Sequence, residues 1–135
     1  MKVVLDAGVV FSGAGWRGEA HRCLVAIAER WGIAYATEET LKELRNLLID
    51  RGHTAKHSPD TTLSWYHDYV KRVEPSPLGK QRSREAKDDP YLACALAAGA
   101  KIIVTRDKDL LVLKKPFGIQ IITPREFLTR LSKAL

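Results

Sequence analysis

Two short apolar runs without polar interruption, "KVVLD" at Lys2–Asp6 and "IIVT" at Ile102–Thr105, punctuate the chain. Runs of this kind predict parallel strands covered on both faces, because a half-exposed strand alternates apolar with polar residues. "IAYA" (Ile33 to Ala36) and "IQIIT" (Ile119 to Thr123) are weaker strand candidates. Helical periodicity fills the intervals. "GEAHRCLVAIAERWG" places Cys23, Leu24, Ile27 and Trp31 at three- and four-residue steps and ends at Gly32, a good helix stop. "TEETLKELRNLLIDRG" sets Leu41, Leu44, Leu47 and Leu48 on one stripe behind Glu38 and Glu39, which suit the positive end of a helix dipole. Ser58-Pro59 and Thr123-Pro124 each read as a capping residue followed by the first residue of a helix. The expected order is strand, helix, strand, two helices, then helix, strand, short helix, strand, helix. Such alternation implies right-handed crossovers and an α/β fold, a three-layer α/β/α sandwich around a central parallel sheet.

Length and composition narrow the setting. A chain of 135 residues fits one domain spanning residues 1–135. No apolar run approaches the roughly 20 residues of a membrane span, and the start is too soon acidic for a signal peptide, so the expected location is cytoplasmic. Cys23 and Cys94 fall in apolar helical patterns and read as buried thiols rather than a disulfide or zinc site. The net charge is +6, and Lys71 to Lys87 alone holds six basic and two acidic residues. That stretch either keeps a loop solvated or attracts a phosphate backbone.

Acidic residues gather where this fold binds ligands, at the carboxyl ends of parallel strands. Asp6 follows the first strand and Asp107 the "IIVTR" run. Asp89 precedes Pro90 and reads as the N-cap of the helix "PYLACALAAGA". Asp88 is not needed for that cap and would face the same edge. Glu43, beside the leucine stripe, either leans toward this edge or pairs with Lys42 or Arg45 on the surface. Converging carboxylates repel by roughly 4 kcal/mol per pair at about 4 Å and an effective dielectric near 20, so protons or a cation must neutralise them. An oxygen-only set suits Mg²⁺ or Mn²⁺, whose natural chemistry on such a site is phosphodiester hydrolysis. Other chemistries lack their signatures. There is no "GxxxxGK[ST]" loop and no "GxSxG" elbow. "GAGWRG" (Gly13 to Gly18) has the wrong glycine spacing for a dinucleotide loop and reads as a flexible turn. His53 and His57 are four apart, but no third ligand accompanies them and they read as loop residues.

Taken together, "VVLDAGVVFSG", "EETLKELRNLL" and "KDDPYLACALAAGAKIIVTRDKDLL" resemble, in order, the acidic motifs of PIN-domain nucleases over nearly the whole chain. The resemblance is nearest to the branch of toxin components of prokaryotic toxin-antitoxin systems, the VapC-like ribonucleases. It implies an endoribonuclease with Asp6, Glu43, Asp88 and Asp107 as catalytic, Mg²⁺-binding (or Mn²⁺-binding) residues. Asp89 is the alternative ligand to Asp88. Ser12, Thr105 and Asp109 would support the site, while Lys71, Arg72, Lys80, Arg82, Arg84 and Lys87 would help to hold RNA. A cognate antitoxin protein and a homodimer are the implied partners. One departure is visible: the usual opening is Asp, Thr, Asn, and here it is Asp6, Ala7, Gly8. Gly8 has no side chain with which to orient substrate or the first acidic residue. The competing reading is therefore a catalytically weak or inactive PIN module that binds RNA or a protein partner.

Overall fold

The computed structural model describes residues 1–51 and 58–134. His53 and His57 lie outside the described residues. The elements run β1 (Lys2–Leu5), α1 (Ala7–Gly15), α2 (Glu19–Ala28), β2 (Ile33–Ala36), α3 (Glu38–Arg51), α4 (Pro59–Tyr69), β3 (Val70–Arg72), α5 (Asp89–Ala98), β4 (Ile102–Val104), α6 (Lys108–Leu111), β5 (Gln120–Ile122) and α7 (Pro124–Ala134). All strand pairings are parallel, in the order β3-β2-β1-β4-β5. Helices flank the sheet, as the alternation of elements requires. Among the described residues, no helix is long and apolar enough to cross a membrane.

Burial explains which strands were legible. Val3, Val4, Ile103 and Val104 have no exposed surface, because β1 and β4 lie inside the sheet with helices over both faces. β3 went unforeseen. It is three residues long, sits at the sheet edge, and exposes Lys71 and Arg72, so its pattern continues that of α4 until the backbone extends at Val70.

α1 was also missed. Its residues "AGVVFSGAG" carry no polar stripe because six of the nine are buried, and the expected turn at Gly13 begins inside this helix. A Cβ on Gly13 would stand 2.7 Å from the Ala20 carbonyl oxygen, so glycine is what lets α2 cross α1 closely. α2 stops at Ala28, short of Gly32, and Trp31 is 49% exposed instead of continuing the buried stripe. The α3 stripe is as expected: Leu41, Leu44 and Leu48 are buried and Leu47 half-buried. Cys23 and Cys94 are buried free thiols, and burial pushes both thiols up to about 12.

The connections position the functional edge. From β1 the chain proceeds to β2 and β3 on one side, then returns across β1 to β4 and β5 on the other. The order thus reverses between β1 and β4, and a crevice opens at the carboxyl ends of these two strands. The Asp6 N–H donates to the Val104 carbonyl at 3.0 Å, fixing the two strand ends at that crevice.

Candidate active site

Asp6 is the first residue beyond β1 and the N-cap of α1: its Oδ1 accepts the Gly8 N–H at 3.2 Å. Its Oδ2 accepts the Thr105 hydroxyl at 2.6 Å. Thr105, fully buried just beyond β4, in turn accepts the Asp107 N–H at 2.9 Å. One hydroxyl therefore couples the ends of β1 and β4 and orients both acidic residues. Asp107 caps the short α6 by accepting the Asp109 N–H at 2.9 Å. Each capping carboxylate keeps spare acceptor capacity, since an ionised carboxylate has about four acceptor sites.

Asp88 comes from the other wall, at the start of α5. It is only 3% exposed, and its Oδ2 has no hydrogen-bond partner among the described residues. Oxygen atoms of Asp88, Asp107 and Asp109 lie within 4.8 Å of one another. Glu43 reaches the same region from α3, where its Oε2 accepts the Tyr91 hydroxyl at 2.7 Å. Tyr91, buried on α5, accepts the Ala7 N–H at 3.1 Å through the same oxygen. This tyrosine ties the start of α1 to Glu43. Nothing in "DPYLACALAAGA" marks Tyr91 for this role, and only the fold shows where its hydroxyl points.

The electrostatics make these residues one unit. Burial raises the Asp88 carboxyl to about 7, and the charge of Asp107, a hydrogen bond with Asp107, and the charges of Asp6 and Glu43 push in the same direction. Asp107 can be the hydrogen-bond partner only while one of the two carboxyls is protonated; as anions, both are acceptors alone. Asp6 is raised by burial and by Asp107, against the lowering hydrogen bonds from Thr105 and Gly8. Glu43 is raised by burial, with Asp6 and Asp107 adding to it and the Tyr91 hydroxyl and Lys87 opposing. The crevice thus concentrates negative charge, which Arg84 at Asp109 and Lys87 near Glu43 offset only in part.

The remaining expected site residues fall as follows. Asp89 is not the N-cap of α5. Residues Ala86–Asp88 already form a 3-10 turn, so Asp88 takes the cap position, Asp89 has helical φ and ψ, and no side chain makes the capping bond. The Asp89 carboxylate instead accepts the Ser83 N–H at 2.8 Å, the Ser83 hydroxyl at 2.5 Å and the Arg82 N–H at 3.0 Å. It anchors the preceding loop and does not join the three-carboxylate group. Asp109 does join it, and also pairs with Arg84 at 2.8 Å. Ser12 accepts a hydrogen bond from Arg106 at 3.3 Å, the residue that precedes Asp107 in the chain. Lys71 and Arg72 lie exposed on β3, while Lys80, Arg82, Arg84 and Lys87 are exposed on the segment leading to Asp88.

A family profile described as PIN domain matches residues 2–109. The chain belongs to the PIN domain family. Among solved structures, PAE2754 from Pyrobaculum aerophilum is similar with a TM-score of 0.69 and 21% identity, over 98% of this chain and 90% of that one; at this identity the likeness is one of fold. A search of curated proteins gives no match. PIN domains are typically metal-dependent nucleases, and the acidic crevice of this PIN domain is consistent with that activity. Its donors fit a hard divalent cation. They are all oxygens, Asp88 offers one that is buried and unpartnered among the described residues, and no cysteine or histidine among those residues belongs to the group.

Proposed function

We propose that this PIN domain is a Mg²⁺-dependent endoribonuclease. The observation that carries the reading is the buried Asp88 carboxylate, which has one oxygen unpartnered among the described residues and an oxygen within 4.8 Å of those of Asp107 and Asp109: an unpaired buried carboxylate oxygen is costly unless a proton or cation completes it. Asp88 and Asp107, with Asp6 and Glu43 beside them, would hold Mg²⁺ or Mn²⁺. Such an ion supplies Lewis acidity toward a phosphodiester and makes water a better nucleophile. Thr105 keeps Asp6 and Asp107 in place, and Tyr91 does the same for Glu43. Water adds to phosphorus and one P–O ester bond breaks, leaving a phosphomonoester and a free hydroxyl. Lys71, Arg72, Lys80, Arg82, Arg84 and Lys87 offset the repulsion between the polyanionic substrate and the acidic crevice. The motif resemblance further supports a toxin acting against RNA, held in check by a cognate antitoxin and assembled as a homodimer.

The second reading, a weak or inactive RNA- or protein-binding module, is favoured by Gly8. A Cβ there would meet only Asp6 Oδ2 at 3.9 Å, so the backbone at Gly8 accepts a side chain at its first atom. Incubation of single-stranded RNA with the protein and Mg²⁺ should give internal cleavage that EDTA stops and Mn²⁺ restores. Gly8→Asn should raise the rate by about 10- to 100-fold, the usual range for groups that orient metal ligands. Binding of RNA without cleavage in either Mg²⁺ or Mn²⁺ would establish the second reading.

A further inference from the structure

The loop between α6 and β5 presents an aromatic ring that neither the core nor the acidic crevice uses. Phe117 is 45% exposed and holds a left-handed backbone, φ 55° and ψ 24°, uncommon for a bulky side chain. The turn around it is fixed: Gly118 N–H donates to the Lys115 carbonyl at 3.3 Å and Ile119 N–H to the Pro116 carbonyl at 2.8 Å. Across from it, the Arg82 guanidinium lies 5.1 Å from the ring centroid. That guanidinium is itself held, with Nε and Nη2 donating to the Leu78 carbonyl at 3.1 and 3.0 Å. A lone exposed aromatic is ordinary on any protein surface. Here the ring is kept out by a strained turn, is backed by an oriented cation, and belongs to a segment, Leu110 to Arg125, with Lys114 and Lys115 and no acidic residue.

This pair is connected to the crevice by short links. The Arg82 N–H donates to Asp89, the neighbour of Asp88, and Arg84, two residues on, pairs with Asp109. Through these links the loop adjoins the wall of the crevice that carries Asp88 and Asp109.

Resting on the ribonuclease reading, we infer that Phe117 and Arg82 form a stacking platform for an unpaired RNA base flanking the scissile phosphate. The ring offers its free face to the base, while Arg82, Lys114 and Lys115 meet the backbone phosphates. Stacking of this type tolerates any base, because every base has a π face. The platform therefore selects single-stranded over paired RNA rather than a particular sequence.

The test uses the full chain carrying Asp6→Asn, so that bound RNA stays intact, with Mg²⁺ and a fluorescent single-stranded RNA of roughly 12 nucleotides, within the span such grooves cover. Phe117→Asn removes the ring, and asparagine accepts the left-handed backbone, so folding is preserved. This change should weaken RNA binding by about 10-fold and leave binding of inorganic polyphosphate, which has the charge without bases, unchanged. Phe117→Trp should bind RNA at least as tightly as Phe117. Arg82→Ala should weaken both ligands. Unchanged RNA affinity in Phe117→Asn, equal losses for RNA and polyphosphate, or no RNA binding by the parent would overturn the platform. So would a change confined to the oligomeric state, which would make the ring a contact for another copy of the chain. Failure of the ribonuclease reading is separable: it would appear as absence of cleavage by the unmodified protein, whatever Phe117→Asn does to binding.

Discussion

Asp88→Asn is expected to stabilise the metal-free protein at pH 8 while abolishing cleavage. In the folded chain burial, the hydrogen bond to Asp107 and three neighbouring carboxylates raise Asp88 from 3.8 to about 7. The folded state therefore keeps this proton over a range where the unfolded state has released it. For a raised acid the sign is fixed: stability is unaffected below about pH 4, falls as pH rises toward 7, and stays lower above it. The full difference corresponds to about 4 kcal/mol at 1.36 kcal/mol per pKa unit, an upper figure because Asp107, Asp6 and Glu43 share the same charge. An asparagine amide can donate to Asp107 as the protonated acid does, and it never ionises. Denaturant titrations in EDTA should therefore show Asp88→Asn close to the parent at pH 4 and more stable by a few kcal/mol at pH 8. Added Mg²⁺ should stabilise the parent at pH 8 and leave the variant unmoved, since ligand binding to the folded state alone raises its stability. Equal destabilisation of the variant at both pH values would mean that Asp88 serves packing instead of a cation.

Asp6→Asn should lower the cleavage rate by at least about 100-fold, the scale on which removing one charge-stabilising group acts. The substitution removes the anion and also disturbs the strand-end network. Asparagine can still accept the Gly8 N–H, but its amide would face Thr105 Oγ1, which already accepts from Asp107. The Thr105 hydroxyl then has no acceptor in place of Asp6 Oδ2. Thr105→Val separates the two effects, because it retains every charge and loses only the orientation. Its cost should be about 10- to 100-fold, as for other groups supporting metal ligands. Single-turnover cleavage by both variants measures the order; a Thr105→Val loss as large as that of Asp6→Asn would move the essential role from the carboxylate to the network.

How much of this was legible in the sequence follows from what burial imposes on residue choice. β1 and β4 had to be apolar on both faces, so their runs and the acidic residues directly after them could be read. The leucine stripe of α3 left Glu43 open between this edge and the surface, and only the hydrogen bond from Tyr91 shows which way it turns. Where a segment has no contrast between faces, the pattern is silent: α1 is apolar nearly all round, and β3 is a polar edge strand continuous with α4. The adjacent pair Asp88 and Asp89 shows a different limit. Pro90 suggested that a cap immediately precedes it, yet a 3-10 turn starts the helical backbone earlier, leaving Asp89 to hold Ser83 and Asp88 to face the crevice. Tyr91, Arg84 and Arg106 act through contacts between residues distant in the chain, and no local spacing announces them.

A crystal soaked in Mn²⁺, with anomalous scattering measured at the manganese edge, tests the metal site most directly. The expected result is a peak coordinated by oxygen atoms of Asp88 and Asp107 at about 2.0–2.4 Å, the range of hard cations on carboxylates, with Asp6 and Glu43 around it and Asp89 still bonded to Ser83. A map without manganese between Asp88 and Asp107, or with manganese on Asp89 instead, would contradict it.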